Sequence, residues 1–294
     1  MPVLRPKVRG ENARPPESGY GNLIRSPLFK RVATASVLVA ALLPSLFLLP
    51  APAWNVACAA FAGICAYEWF RLCGLKGVPM ICCTGLIVAI FATAAMDAVP
   101  SRWVWAASTV IWVCAVPLVL WNNAQTVNKF VRMISGGIVI VSAAIALVML
   151  RSYNPGLLLV LMAIVWVSDS AAYFSGRTWG HRKLAPSISP GKTWEGVAGG
   201  LFAVLIYALL VKDMISPALT ASSISPSGLG SVLVVLLFLG LAVAGIIGDL
   251  AESWAKRLAG VKDSGTILPG HGGILDRVDA LLPVLPIAAL IFCW

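Results

Sequence analysis

A polar segment near the C-terminus carries the residue types that phosphate chemistry needs. Residues 262–279 read KDSGTILPGHGGILDRVD and run into a final apolar stretch. Glycines let backbone N–H groups approach an anion closely, and Lys262 and Arg277 add the positive charge that a triphosphate requires. His271 is placed to donate a hydrogen bond to phosphate or to support the loop. We therefore predict a phosphate-binding loop here, with three further candidates for substrate contact: Asp263, Gly272 and Gly273.

Carboxylates three residues apart occur both in this segment and in the apolar stretch before it. Asp249 and Glu252 share one face of a predicted helix, and Asp276 and Asp279 repeat the spacing at the start of the next. An ionised carboxylate at membrane depth is costly unless it is paired or metal-bound. We expect Asp249 and Asp276 to lack a neutralising neighbour and so to hold Mg²⁺, with Glu252 as a further candidate ligand. Interfacial caps and salt bridges remain the alternative for Glu252 or Asp279 alone.

A second polar connection, residues 176–196, reads GRTWGHRKLAPSISPGKTWEG. It contains the Lys-Thr pair of a P-loop but lacks the GxxxxGK[ST] spacing and a preceding strand, which argues against a Walker-type ATPase. The plainer interpretation is a Ser-Pro-Gly turn leading into a helix, with Trp194 at the membrane interface, and both interpretations can hold together. The candidate substrate-binding residues in and just before this connection are Asp169, Lys183, Ser189, Lys192 and Thr193.

Composition determines which elements must position these residues. Hydrophobic residues make up 59 % of the chain and charged residues 12 %, and the mean hydropathy is +0.89, so apolar side chains must face lipid as well as one another. We predict an all-α fold, a polytopic membrane helical bundle of about nine transmembrane helices, each long enough to cross about 30 Å of hydrocarbon. The predicted spans are 33–49, 53–72, 80–98, 103–121, 130–150, 155–174, 196–211, 231–251 and 278–294.

The lysines and arginines indicate how the bundle is oriented. If the N-terminus is cytoplasmic, 19 of the 22 fall in cytoplasmic segments, and only Arg102, Arg151 and Lys212 lie outside. The net charge of +10 is thus scattered over loops on one membrane face, which argues against nucleic acid as a partner. We expect the N-terminus and both polar segments to be cytoplasmic and Trp294 to face the other side.

The chain divides into three parts with unequal chemical content. Residues 1–32 are predicted to be a flexible basic cytoplasmic tail, 33–150 a transmembrane scaffold of about five helices, and 151–294 a catalytic region of about four. The scaffold contains few ionisable residues. We interpret its Glu68 as the partner of Arg71 in a local pair on the helix surface, and a functional role as the less favoured alternative.

The segment from Ser253 to Asp279, SWAKRLAGVKDSGTILPGHGGILDRVD, closely resembles the signature of the phosphatidate cytidylyltransferase (CDP-diacylglycerol synthase) family. The connection at 176–196 is similar to that family as well. The chain departs from the family pattern at Ala255, where a larger aliphatic residue is usual, and at Gly191, where lysine or asparagine is common. The length and polarity of the two motif blocks make the match specific.

The resemblance implies a membrane-embedded enzyme that converts CTP and phosphatidate to CDP-diacylglycerol and pyrophosphate. It implies Mg²⁺ dependence with Asp249 and Asp276 as ligands, a second cation being open. It also implies a homodimer, and a location in the bacterial inner membrane. The lipid phosphate is already anionic, so its attack on the α-phosphorus of CTP relies on alignment and charge neutralisation more than on a general base.

Two other functions remain open from the residues. A CTP-dependent polyprenol or dolichol kinase would transfer the γ-phosphate instead. An ion-coupled transporter would also place carboxylates in a membrane, but here they cluster at one face instead of the midplane, and no inverted repeat is visible.

Overall fold

The chain folds into helices joined by short connections and one small hairpin. A computed structural model describes residues 37, 40–95, 101–122, 127–221, 230–268 and 272–293, so the predicted tail lies outside the described residues. After a helical stretch at 40–48, the helices are α1 (Ala51–Leu72), α2 (Gly77–Ala94), α3 (Ser101–Trp121, with a π-helical turn at Ile111–Ala115), α4 (Lys129–Tyr153), α5 (Pro155–Trp179), α6 (Trp194–Ala221), α7 (Gly230–Leu258), α8 (Leu275–Val278) and α9 (Leu281–Phe292). Two antiparallel strands, β1 (Lys183–Ala185) and β2 (Ser189–Thr193), lie between α5 and α6.

Six of the described helices, α2 to α7, are long and apolar enough to cross a membrane. The prediction of an all-α polytopic membrane protein is confirmed. Every predicted span overlaps a described helical stretch, but the predicted count of nine crossings is not confirmed. α1 carries Glu68 and Arg71 near its end, and α9 has 12 residues, fewer than the roughly 17 that a perpendicular span needs.

Local sequence explains where the central helices begin. The Asn128 side chain accepts a hydrogen bond from the Phe130 N–H (2.8 Å) and caps α4. Asn154 caps α5 in the same way through the Leu157 N–H (3.0 Å), and Pro155 occupies the first helical position, where no N–H is needed. Each of these two helices thus begins at an asparagine cap, and Asn154 alone separates α4 from α5.

The core of the bundle is formed by α4 and α9. α4 is buried along most of its length and packs against α1, α2, α3, α5 and α9. α9 packs in turn against α3, α4 and α7 and is buried over nearly all of its residues. Outward-facing apolar side chains such as Val78, Leu86, Phe202 and Leu236 are more than half exposed, as expected for a surface in contact with lipid.

Small residues bring α5, α6 and α7 together beneath the polar segments. A Cβ on Gly199 of α6 would lie 2.2 Å from the Ser175 Oγ atom of α5, so no larger residue fits at that crossing. A Cβ on Gly248 of α7 would lie 2.5 Å from the Asp279 backbone oxygen. The first contact holds the end of α5 against the start of α6, and the second holds α7 against the turn that joins α8 to α9.

Candidate active site

A polar cleft of about 670 Å³ opens where the ends of α5, α7 and α8 meet the β1–β2 hairpin. Eight of the predicted site residues line it: Asp169, Ser189, Lys192, Thr193, Asp249, Asp263, Asp276 and Arg277. They come from α5, β2, α7, α8 and the loop before α8, over residues 169–277, and the fold brings them to one place. The structure thus brings residues of the two polar segments together in one cleft.

The cleft does not gather every predicted residue. Lys183 and Lys262 are exposed and are not among the residues that line it. His271 lies outside the described residues. Glu252 is 3 % exposed and lies beneath the cleft, at the edge of a separate apolar cavity of about 250 Å³. Glu252 is therefore not one of the carboxylates that the cleft presents to a ligand.

Asp249 is paired with a lysine from the hairpin. The Lys192 Nζ atom lies 2.6 Å from the Asp249 Oδ2 atom, and both side chains are partly exposed. The Ser253 hydroxyl, one helical turn further along α7, is a weaker neighbour at 3.4 Å from Oδ1. The expectation that Asp249 has no neutralising neighbour was wrong, because its partner lies 57 positions earlier in the sequence, on an element that periodicity alone does not place.

Asp276 is also neutralised, by Lys256. The Lys256 Nζ atom lies 2.6 Å from the Asp276 Oδ1 atom and also forms a close ion pair with Glu252, one turn before it on α7. Burial alone would raise the pKa of Asp276. The Lys256 ammonium and the Gly273 N–H both donate hydrogen bonds to the carboxylate, and these contacts outweigh that effect and lower the pKa to about 2. The second expectation of an unpaired carboxylate was wrong for the same reason as the first.

The glycines of the C-terminal segment pack against Asp276. Gly272 has a φ of +81°, and a Cβ there would lie 2.6 Å from the Asp276 Oδ2 atom. The backbone N–H of Gly273 donates to the same oxygen at 2.8 Å. In this arrangement the Gly273 N–H is directed at a carboxylate of the protein. The prediction that these glycines contact phosphate has not been tested.

The β1–β2 hairpin presents Lys192 and also starts α6. The Thr193 hydroxyl accepts a hydrogen bond from the Gly196 N–H (3.1 Å), while the Glu195 carboxylate accepts from the backbone N–H groups of His181 (3.1 Å) and Arg182 (3.2 Å). A helix does follow this segment at Trp194, but Ser189, Pro190 and Gly191 lie in β2 and the turn of the hairpin falls at residues 186–188, so the interpretation as a Ser-Pro-Gly turn was wrong. Thr193 lines the cleft, but its hydroxyl already caps α6.

Sequence reasoning missed several residues of the site. Lys256 lines the cleft seven residues after Asp249, on the same face of α7, but is absent from the predicted site residues. Tyr173 and Arg177 follow Asp169 at intervals of four on α5, line the cleft, and are joined by a hydrogen bond of 2.8 Å. Their spacing was a usable signal, because it places all three side chains on one helix face.

The structure contradicts the interpretation of Glu68 as a helix-surface residue paired with Arg71. Glu68 is 1 % exposed, whereas Arg71 is exposed. Its carboxylate accepts hydrogen bonds from the segment before α8 and from the start of α8, including one from the Leu275 N–H at 2.8 Å. No local pattern in the sequence could identify partners some 200 residues away.

The carboxylates of the cleft fit a hard divalent cation in the type of donor they offer. Carboxylate oxygens are the protein ligands that Mg²⁺ prefers, and a carboxylate accepts bonds in about four directions. The described contacts occupy three of these directions on Asp276 and two on Asp249. Both carboxylates therefore keep oxygen lone pairs that can bind a cation. Among the described residues, no three His, Cys, Asp or Glu side chains form a metal cluster. Substrate oxygens and water would have to complete such a site.

The fold and the cleft together define a class: a polytopic helical membrane protein whose charged site lies where its membrane helices end. The chain belongs to the cytidylyltransferase family, whose model matches residues 29–294. The resemblance noted in the sequence is thereby confirmed. Phosphatidate cytidylyltransferase of Pseudomonas aeruginosa is 35 % identical over 273 residues, covering 89 % of this chain and 96 % of that protein.

Two other relatives match shorter parts of the chain at higher sequence identity. Phosphatidate cytidylyltransferase of Brucella suis is 45 % identical over 153 residues, 51 % of this chain and 52 % of that protein. The enzyme of the same name from Bacillus subtilis is 48 % identical over 123 residues, 42 % of each chain.

Proposed function

We propose that this protein transfers the cytidylyl group of CTP to phosphatidate, forming CDP-diacylglycerol and pyrophosphate. The relative from Pseudomonas aeruginosa, which is similar in sequence over nearly the whole chain, is named for this activity, as are the two relatives that match about half of it. The observation that carries the proposal is the position of the cleft. A charged cavity at the ends of membrane helices gives a water-soluble nucleotide and a lipid headgroup access to the same place.

The charges of the cleft suit two anionic substrates. Lys192 and Lys256 reach into it from different elements, and Arg177 and Arg277 also line it. Ammonium and guanidinium groups bind phosphate oxygens by charge-assisted hydrogen bonds, and several of them are needed for a triphosphate beside a phosphomonoester. Lys192 would exchange its contact with Asp249 for substrate phosphate, because an ammonium has three donors and a flexible stem.

The proposed chemistry is a direct displacement. An oxygen of the lipid phosphate forms a bond to the α-phosphorus of CTP, the bond from that phosphorus to the oxygen bridging to the β-phosphate breaks, and pyrophosphate leaves with the electron pair. The attacking oxygen is already anionic, so the protein's part is to align the two phosphates and screen their repulsion. We expect no covalent enzyme intermediate, since no activated serine, cysteine or lysine nucleophile is evident in the motifs.

We further propose that the enzyme uses Mg²⁺ held by Asp249 and Asp276. A bound Mg²⁺ would supply positive charge to the phosphate oxygens and help to fix their orientation. Both aspartates already lie beside a lysine ammonium, which shows that each position accommodates a positive charge. Whether a second cation takes part is left open.

The proposed substrates and the charged loops indicate the membrane location and orientation of the enzyme. CTP is water-soluble and the positively charged loops lie on one predicted face, so we propose that the cleft opens to the cytoplasm from a bacterial inner membrane. We also propose that the protein acts as a homodimer.

The fate of two labels tests the reaction. Purified protein is incubated with phosphatidate and CTP labelled in either the α- or the γ-phosphate. Cytidylyl transfer puts the α-label into lipid and the γ-label into pyrophosphate. A lipid kinase would put the γ-label into lipid and release CDP, and a transporter would leave CTP intact; either result would contradict the proposal.

A further inference from the structure

Glu68 is a buried carboxylate of α1 that belongs to none of the predicted site motifs. It is 1 % exposed, yet its two oxygens accept three hydrogen bonds from a distant part of the chain. The donors are the Ser264 hydroxyl (2.8 Å), the Ile274 N–H (3.1 Å) and the Leu275 N–H (2.8 Å). A buried carboxylate is retained only where such donors compensate its lost hydration. Glu68 therefore joins two parts of the C-terminal segment, Ser264 and the start of α8, to α1.

Two glycines make room for this carboxylate. A Cβ on Gly265 would lie 2.3 Å from the Glu68 Oε1 atom, and a Cβ on Gly273 would lie 2.3 Å from Oε2. Real Cβ atoms do not approach an oxygen so closely, so a side chain at either position would push the segment away from Glu68. The glycines of the C-terminal segment thus serve this contact, in addition to any contact with substrate.

The same segment holds Asp276. The Ser264 N–H donates to the Asp276 Oδ2 atom at 2.9 Å, while the Ser264 hydroxyl donates to Glu68. The Gly273 N–H donates to the same Asp276 oxygen, and the N–H groups of Ile274 and Leu275, the two residues before Asp276, donate to Glu68. Glu68 and Asp276 are therefore connected through Ser264 and through the backbone of α8.

Glu68 is itself held on a rigid support. Its neighbour Trp69 donates from the indole Nε1 atom to the Arg132 backbone oxygen of α4 at 3.0 Å. A Cβ on Gly136 would lie 1.9 Å from that indole nitrogen, so α1 and α4 are packed in direct contact there. α4 is a central buried helix of the bundle. The carboxylate has little freedom to follow the segment if the segment moves.

We propose that Glu68 is a positioning residue that fixes the segment carrying Asp276 and Arg277 for the transfer reaction. The inference rests on the proposed function for its consequence, though not for its geometry. It assigns to the N-terminal helices a direct part in ordering the site. A purely stabilising role for Glu68 would lower the amount of folded protein and leave turnover per folded molecule unchanged, whereas positioning affects turnover itself.

Glu68→Gln in the purified full-length protein tests the proposal. The amide keeps the shape of the side chain, but its NH₂ group must face an N–H or O–H donor that the carboxylate now accepts. We expect faster amide hydrogen exchange at residues 264–265 and 272–278, and little change in α4. We expect kcat per folded molecule to fall by about 10- to 100-fold, the effect of a small misplacement of reacting groups, with KM for CTP changing far less.

Two further variants accompany this one. Asp213→Asn makes the same carboxylate-to-amide change at an exposed side chain of α6, and we expect neither exchange nor turnover to change. Ser264→Ala removes one of the three hydrogen bonds to Glu68 and should give a smaller change of the same kind, which keeps the test available if Glu68→Gln does not fold.

The proposal is overturned if a folded variant shows unchanged exchange at 272–278, or faster exchange there with turnover retained. If the wild-type protein transfers no cytidylyl group, the proposed function fails, and the exchange measurement still decides whether Glu68 orders the segment.

Discussion

Lysines from two different elements lie against the two aspartates proposed to hold Mg²⁺. Lys192 comes from the hairpin to Asp249, and Lys256 comes from α7 to Asp276 and Glu252. Carboxylates grouped in a cleft repel one another unless cations lie between them. The lysines therefore keep the carboxylates together in the absence of substrate, and they are placed to bind phosphate when it arrives.

Asp249→Asn tests the role of the carboxylate in the cleft. We expect turnover to fall by about 10²- to 10³-fold, as when a charge that stabilises a transition state is removed. The melting temperature should change little, since the Asp249 side chain is 31 % exposed and a pair so exposed contributes at most about 1 kcal/mol. The measurement is CTP turnover beside a thermal melt in detergent. The same change at Asp276 should lower turnover by a similar factor.

Asp213→Asn is the matched control for this prediction and should keep full activity. Near-normal turnover of Asp249→Asn at ordinary Mg²⁺ concentration would contradict the proposed metal site.

Lys256→Met tests whether this lysine compensates Glu252. The substitution leaves the buried Glu252 without its ion-pair partner, and breaking one side of a buried pair costs about 3–5 kcal/mol. We expect a large fall in melting temperature. Adding Glu252→Gln should recover part of the loss, because the uncompensated charge is then gone. Equal melting temperatures for the single and double variants would show that Lys256 does not stabilise the protein through Glu252.

For individual residues, the sequence predicts which ones line the cleft better than it predicts which ones contact one another. The signature segment and the carboxylate spacing located Asp249, Asp276 and Arg277 in the cleft without structural information. The pairing of Asp249 with Lys192, and the burial of Glu68 against α8, depend on contacts between segments far apart in the chain. No local periodicity encodes such contacts.

The elements position the site through close helix crossings. α5 carries Asp169, Tyr173 and Arg177 to the cleft, and α6 begins at the end of the hairpin that carries Lys192. Where α5 and α6 cross, Gly199 contacts Ser175. The separation of these two helices therefore sets the distance between the α5 face and the hairpin.

Gly199→Ala tests this crossing. The added Cβ would lie 2.2 Å from the Ser175 Oγ atom and 2.5 Å from its Cβ atom, so α5 and α6 must separate. Overpacking of this kind costs about 1–3 kcal/mol, and we expect a lower melting temperature together with reduced turnover.

Gly240→Ala on α7 provides the matched control. A Cβ there meets nothing within 4 Å, so the same substitution should leave stability unchanged or slightly improve it. If both variants melt at the same temperature, the α5–α6 crossing does not limit the packing.

The apolar stretches correctly predicted that these helices exist. They were less reliable for where each helix ends and for how many helices cross the membrane. The predicted span 155–174 begins where α5 begins, but α5 continues to Trp179 because its last turns remain helical in a polar sequence. The predicted span 278–294 contains a turn before α9, which has only 12 residues. Apolar composition does not show where a helix breaks, and the division of the chain into scaffold and catalytic region stays a prediction.

The whole molecule places its polar chemistry at one end of an apolar bundle. The cleft lies at the C-terminal ends of α5 and α7, and the turn between α4 and α5 lies at the opposite ends of those helices. The distribution of lysine and arginine predicts that the cleft end is cytoplasmic.

Cysteine labelling tests this orientation. In a background without the seven native cysteines, Lys183→Cys reports on the hairpin and Ser152→Cys on the end of α4; both positions are exposed. We expect a membrane-impermeant reagent to label position 152 in intact cells and position 183 only in inside-out vesicles. Labelling of both positions from the same side would contradict the predicted topology.

The central claim is that CTP reacts in the cleft between the hairpin and α8. The most direct test is an experimental structure of the purified protein with Mg²⁺ and a CTP analogue whose α–β bridging oxygen is replaced by a methylene group. We expect density for the triphosphate within contact distance of Lys192, Asp249 and Asp276. Triphosphate density elsewhere on the protein, with the cleft unchanged and Lys192 still on Asp249, would contradict the account.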